Sequence, residues 1–305
     1  MKQALKFLVT AGLLWTVFKV VDIHRVGETL LSANLALLLM AVLCQLASTF
    51  TAALRWSQVM AGLDFSAPLF FYLQSYFTGF FFNQALPGSI GGDAVKLFEV
   101  SRRGYTKTES FYGIALDRIV GIVGLLFLNL VATLARPDFF PDWLVRLILL
   151  LAGGGLLAFA GLVLLRRTSL LRRVPGSALF YGFSERLNML YRRRRIALLH
   201  LILSVIVHLC SVLAIFFLAR AIGLTYPPLL FMVAIPPVLL LSIVPISLAG
   251  WGVREGAMVG IFLLIGAAKA AILSVSILYG VLLIFTSLPG LLFWLRSPDR
   301  LSKGL

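Results

Sequence analysis

The sequence predicts an all-α fold, a polytopic transmembrane helical bundle. It has about six full spans plus two re-entrant (broken) helical hairpins in an inverted repeat. Three observations predict it: an apolar composition, apolar runs of spanning length recurring along the chain, and two Pro/Gly-rich breaks set at the same place in each half. Of the 305 residues, 60% are hydrophobic and 13% charged, and mean hydropathy is +1.00. Ordinary globular chains are about 45–50% apolar and about 25% charged. A soluble domain of this length has no way to hide so much apolar surface, so residues 1–305 read as one integral membrane domain.

Full spans are predicted at residues 4–21, 34–54, 110–133, 143–165, 196–218 and 270–295. Each is near the roughly 20 residues that cross a bilayer's hydrocarbon core. The first follows Lys2 and Lys6, as a signal peptide would. Its long apolar core, with no small-residue cleavage site directly after it, reads instead as an uncleaved span.

Two regions do not read as continuous spans. Residues 68–100 hold an apolar half, then Pro87-Gly88-Ser89-Ile90-Gly91-Gly92-Asp93, then a shorter amphipathic piece. Residues 228–267 hold Pro245-Ile246-Ser247-Leu248-Ala249-Gly250-Trp251-Gly252 between two apolar pieces. Proline and glycine in mid-segment interrupt a helix. Freed backbone groups find no partner in lipid, so such breaks lie where protein or a watery cavity covers them. Both regions therefore read as re-entrant hairpins.

The net charge of +15 comes from 27 Lys and Arg against 12 Asp and Glu. These cations sit between apolar segments, and no nucleic-acid reader motif accompanies them, so they read as topogenic. The linker from Arg166 to Arg195 carries nine arginines and one acid, Glu185. Placing it in the cytoplasm puts both termini there too, with Lys96, Arg102, Arg103 and Lys107 on the same side. Clustered next to spans, its arginines are also placed to hold anionic headgroups. The first hairpin then enters from the cytoplasm and the second from the opposite face.

The two breaks align at an offset of 158 residues, Pro87 onto Pro245. The same offset carries span 34–54 onto 192–212 and span 110–133 onto 268–291. Repeat 1 is about 34–133 and repeat 2 about 196–295, with the basic linker 166–195 between them. Opposed orientation of two such halves, with broken helices near the midplane, is a transporter signature.

Three constellations can carry function. In the first, Gly88, Ser89, Gly91 and Gly92 precede Asp93. Glycines there either expose N–H groups to an anion at a helix start or simply allow a tight tip. Asp93 can cap the helix, and its carboxylate competes with an anion for those donors. No P-loop lysine follows. In the second, Trp251, Arg254 and Glu255 follow the other break. Arg254 is a fork-shaped donor for phosphate or carboxylate, and Glu255 accepts a cationic headgroup or an arginine. The alternative is an internal ion pair that fixes the hairpin. In the third, Asp117 and Arg118 lie about two turns into a span, roughly 100° apart on the helix. One is expected to reach Arg254 or Glu255 and the other Asp93. The alternative is a structural salt-bridge network. Charges at membrane depth are expensive and usually face a cavity.

Other signals are weaker. Phe70, Phe71, Tyr72, Tyr76, Phe77 and Phe80–Phe82 read as hairpin packing and an interface belt. Asn83 and Gln84 at the tip are polar and deep. Cys44 and Cys210 lie in apolar segments without metal or disulfide spacing. His200 and His208, eight apart on one segment, read as packing residues. No nucleophile elbow, metal ligand set or nucleotide motif is present. The sequence thus implies no cofactor and no metal, and leaves enzymatic activity unsupported.

The run Leu86-Pro-Gly-Ser-Ile-Gly-Gly-Asp-Ala-Val-Lys, the later Leu116-Asp117-Arg118, and Pro-x-Ser-x-Ala-Gly-Trp-Gly-x-Arg-Glu-Gly from Pro245 to Gly256 resemble the lysylphosphatidylglycerol synthase transmembrane region, or flippase-like, family. The resemblance covers nearly the whole chain. It is similar to the flippase domain of multiple peptide resistance factors, which moves aminoacylated phosphatidylglycerol between leaflets. In those proteins a separate soluble domain makes the lipid. The chain runs to Leu305 soon after its last apolar segment, so the resemblance implies translocation without lysine transfer. It implies a multi-pass protein of a bacterial or archaeal cytoplasmic membrane. Its partner would be a membrane phospholipid or lipid-linked glycan, together with lipid-biosynthesis enzymes. The residues at matching positions are Pro87, Gly88, Gly91, Gly92, Asp93, Asp117, Arg118, Gly250, Gly252, Arg254 and Glu255. The expectation is a polar groove between the halves in which Arg118 and Arg254 hold the lipid phosphate, balanced by Asp93, Asp117 and Glu255. An intramembrane enzyme or accessory subunit of glycolipid, hopanoid or lysylphosphatidylglycerol synthesis is the alternative.

Overall fold

A computed structural model of the chain describes residues 32–85, 90–167, 177–243 and 250–296. The expected first span, residues 4–21, lies outside the described residues, as do Pro87, Gly88, Ser89 and residues 244–249. Ten α-helices form among the described residues, with no strand. Five are long: α1 (Leu35–Ala61), α4 (Lys107–Ala135), α5 (Asp142–Leu164), α7 (Arg194–Ala221) and α10 (Lys269–Arg296). They span 23 to 29 residues and are apolar enough to cross a membrane. The shorter ones are α2 (Leu69–Ala85), α3 (Ile90–Ser101), α6 (Ser177–Leu190), α8 (Pro228–Ile243) and α9 (Val253–Leu263).

Local chemistry sets the boundaries. Asn34 accepts from Leu37 N–H at 3.2 Å to start α1, and Thr106 accepts from Glu109 N–H at 3.2 Å to start α4. Each side chain satisfies a donor that the first turn leaves free. Pro137 stops α4, since proline restricts the residue before it and lacks the N–H a helix needs. Pro228 opens α8, where a missing N–H costs nothing.

A long apolar helix covers each of the five spans expected from residue 34 onward. The first runs seven residues beyond its expected end at 54, because the sequence reading stops at Arg55. That arginine is buried, at 4% exposure, inside α1.

The breaks position the site. Helix α2 ends at Ala85 and α3 begins at Ile90, and the two pack antiparallel. Asn83 meets Gly92, Lys96 covers Tyr76, and Ser75 meets Glu99. As one number falls the other rises. Helices α8 and α9 pair likewise, with Gly250 near Ser242 and Phe231 against Phe262. At 12 and 11 residues, α3 and α9 are only about 18 Å long. That is short of the roughly 30 Å hydrocarbon core.

Span α1 packs along α7, and α4 lies between α7 and α5. Each hairpin's first helix rests on a distant span, α2 on α10 and α8 on α4. A core of Val212, Ile215, Phe231, Ile235, Met258 and Phe262 ties α7, α8 and α9 together. Around this core, Leu39, Leu43, Leu150, Leu157, Phe285 and Leu292 are exposed. Such an apolar belt is a liability in water and a lipid-facing surface in a bilayer. The basic linker is helical over part of its length. Its second half is α6, which buries Phe183 and Leu187, and its Arg186 pairs with Glu109 and covers Tyr112.

Candidate headgroup cavity

A polar cavity of about 320 Å³ lies where α1, α2, α3, α4, α7 and α8 meet. Its charges come from three helices: Arg55 on α1, Asp93 and Lys96 on α3, and Asp117 and Arg118 on α4. Neighbours on a helix diverge by about 100°, so Asp117 and Arg118 leave α4 in different directions. Asp117 accepts from Arg55 Nε at 2.8 Å, and both side chains are nearly fully buried. Arg55 Nη1 also donates to Ser204 Oγ at 3.2 Å. Gly121, one turn past Asp117, leaves room for the guanidinium, since a Cβ there would stand 3.1 Å from both terminal nitrogens. His208 Nε2 lies 2.9 Å from the Gly121 carbonyl oxygen. Arg118 turns the other way and pairs with Asp93, half-open to the cavity.

Lys96 is different. It is 6% exposed, and its ammonium stands over the Tyr76 ring at 3.6 Å and the Trp56 ring at 5.1 Å. Among the described residues it makes no hydrogen bond or ion pair. Cation–π contact compensates part of its desolvation. Among the described residues, the cavity lining thus carries three basic and two acidic side chains, a formal surplus of one positive charge.

Gly92 serves hairpin packing. Its N–H donates to Asn83 Oδ1 at 2.8 Å, and a Cβ on it would collide with the Gly79 carbonyl oxygen of α2. One donor at the α3 start is therefore occupied by protein. Gly91 sits in the same turn, partly exposed.

The second motif forms a closed cluster. Arg254, 2% exposed, donates from Nη2 to Glu255 Oε1 at 2.7 Å. Ser276 Oγ on α10 donates to the same oxygen at 3.1 Å, and the other carboxylate oxygen accepts from Gly252 N–H. Gly252 has φ of +81°, a left-handed conformation that favours glycine. The Arg254 guanidinium covers the rings of Trp251 and Tyr279 at 4.8 and 5.7 Å. Gly280 provides the space, because a Cβ there would be 2.5 Å from Arg254 Nη2. The pair fastens the start of α9 to α10.

The sequence pattern of the lysylphosphatidylglycerol synthase TM region matches residues 3–290. The chain belongs to this family. No curated protein matches it. Family membership and the five long apolar helices make it a multi-pass membrane protein of a lipid-related family.

In this family member the ten residues singled out by sequence divide into three sets. Asp93, Asp117 and Arg118 come together at the cavity, with Gly91 and Gly92 in the turn beside them. Trp251, Arg254 and Glu255 form the separate cluster and do not line the cavity, although Gly250 does. Gly88 and Ser89 lie outside the described residues. One expectation is corrected: Asp117 does not reach Arg254 or Glu255. Arg55 is nearer and takes it, while Glu255 spends its oxygens on Arg254, Ser276 and Gly252. Arg55, Lys96 and His208 were missed as cavity residues. Arg55 carried a signal, since the apolar sequence continues past it from Trp56 to Leu63. Lys96 carried another, because the offset of 158 sets it on Arg254.

Proposed function

We propose that the protein moves an anionic lipid headgroup across the bilayer by way of the polar cavity. The observation that carries this reading is Lys96, a buried cation at the cavity wall that stands over two aromatic rings and, among the described residues, forms no ion pair. A surplus positive charge in a low-dielectric setting attracts a phosphate strongly. Arg118, partly exposed at the same cavity and paired with Asp93, would supply a second donor by exchanging that partner for the phosphate, leaving Asp93 to receive an aminoacyl ammonium. Arg254 is more enclosed, 2% exposed and paired with Glu255 outside the cavity.

Two inverted halves fit the same reading. The offset of 158 carries Leu69–Ala85 to 227–243, beside α8 at Pro228–Ile243. The first hairpin rests on the last span of the second half, and the second hairpin on the last span of the first. We place the protein in the cytoplasmic membrane with both termini inside, as the basic linker suggests.

The test is leaflet-resolved transport in proteoliposomes, using phosphatidylglycerol, lysylphosphatidylglycerol and a polyprenyl-phosphate glycolipid in turn. A charge-assisted hydrogen bond is worth about 1.5–3 kcal/mol, so Lys96→Gln should slow movement of the preferred lipid about tenfold or more. Lys96→Arg should retain part of it. Equal headgroup movement with and without protein for all three lipids refutes the reading. A covalently altered lipid would point to the enzymatic alternative.

A further inference from the structure

An adjoining face of α4 lines a second, apolar cavity. Ile119, Ile122, Val123 and Leu126 recur at i, i+3, i+4 and i+7, one stripe of a helix. Across from them Ala158, Gly161, Leu162 and Leu165 repeat the same spacing from α5. The space between is about 600 Å³, and among the described residues no charged side chain lines it. Its width comes from small residues on α5: a Cβ added at Gly161 would meet nothing within 4 Å. Ile122 lines this groove and the polar cavity alike. Arg118, which lines the polar cavity, is one turn before Ile122 on the same helix.

We propose that the α4–α5 groove holds an acyl chain of the lipid whose headgroup occupies the polar cavity. The proposal rests on the translocation reading. A phospholipid ties a charged head covalently to apolar chains, so a head inside the protein needs an apolar route immediately beside it. The shared Ile122 wall supplies that adjacency, and an amphiphile is the occupant that uses a charged cavity and an uncharged groove together. Lipid tails are as apolar as leucine, so the groove adds no hydrophobic driving force over bulk bilayer. It acts on the path, and its loss lowers the rate of head movement.

The experiment uses the chain in phosphatidylcholine vesicles containing phosphatidylglycerol with a photoreactive diazirine near the end of one acyl chain. Crosslinks, mapped by mass spectrometry, are expected to concentrate at residues 119–126 and 155–165. Gly161→Phe and Ala158→Phe fill the groove and are expected to cut both crosslinking and translocation at least tenfold. Leu150→Phe, on an exposed part of α5 outside the groove, should leave both unchanged. Crosslinks spread evenly over exposed faces, Leu150 included, overturn the acyl route. So does full-rate translocation by both groove-filling variants. If the unmodified chain moves no lipid, the translocation reading fails instead. Where a filled variant does not fold, the crosslink map of the unmodified chain decides.

Discussion

Replacing Asp117 by Asn leaves Arg55 buried without a counter-charge. At 2.8 Å and an effective dielectric of about 20, the lost attraction is roughly 6 kcal/mol gross. Asn keeps one acceptor for Arg55, and Ser204 remains at 3.2 Å. Removing one partner of a buried pair typically costs about 3–5 kcal/mol. The unfolded chain in a membrane finds substitute partners, which pulls measured values down. The expected loss is therefore near the lower end, about 3 kcal/mol. Arg55→Met should cost a similar amount by stranding Asp117. The double replacement Arg55→Met with Asp117→Leu should recover most of the loss, since apolar side chains of similar volume substitute well for buried pairs. Equilibrium unfolding in mixed detergent micelles measures all three, together with Asp117→Leu alone, the single that closes the cycle with Arg55→Met. If the two single losses simply add, with coupling below about 0.5 kcal/mol, the charges do not meet and the cavity geometry is wrong.

Two further outcomes follow from packing. Gly92→Ala sets a methyl group against the Gly79 backbone. It should destabilise by about 3 kcal/mol, at the upper end for overpacking, whereas Gly256→Ala, with open space around it, should be neutral or mildly stabilising; thermal melts in detergent distinguish them. His200 is fully buried and neither ring nitrogen has a partner among the described residues, while Tyr191 stands edge-on at 5.8 Å. His200→Phe should raise stability by about 1–2 kcal/mol by removing unsatisfied polar atoms, and a fall in melting temperature counts against it.

Much of the fold was legible because bilayer thickness fixes helix length. The spans from residue 34 onward declare themselves by apolar length alone, and both hairpins by proline and glycine set inside apolar sequence. The rule about proline is not absolute: Pro236 and Pro237 lie inside α8, and Pro289 inside α10. The site was legible in type but only half in place. Sequence spacing says that Asp117 and Arg118 diverge, but which neighbour each meets depends on how the helices cross. Arg55 looked like the end of a span because a charge usually marks one. Lys96 looked topogenic because three basic residues follow within eleven positions. Nothing in one dimension shows that Tyr76 and Trp56 close over it.

The same offset that frames the proposed repeat also explains why only one half offers a charge. It sets Lys96 on Arg254 and Arg118 on Ser276. Both cations of the first pair stand over two aromatic rings, Tyr76 and Trp56 in one half, Trp251 and Tyr279 in the other. The residue after Lys96 is Leu97, and the residue after Arg254 is Glu255. Among the described residues, Lys96 therefore has no ion-pair partner while Arg254 closes one, with Ser276 donating into it. Under the proposed function, a headgroup phosphate would bring a negative charge to the first half. In the second half it would have to displace Glu255 from a buried arginine, and Coulomb attraction at 2.7 Å opposes that. Under that reading the proposed halves differ in charge, and the difference would direct the ligand to α3.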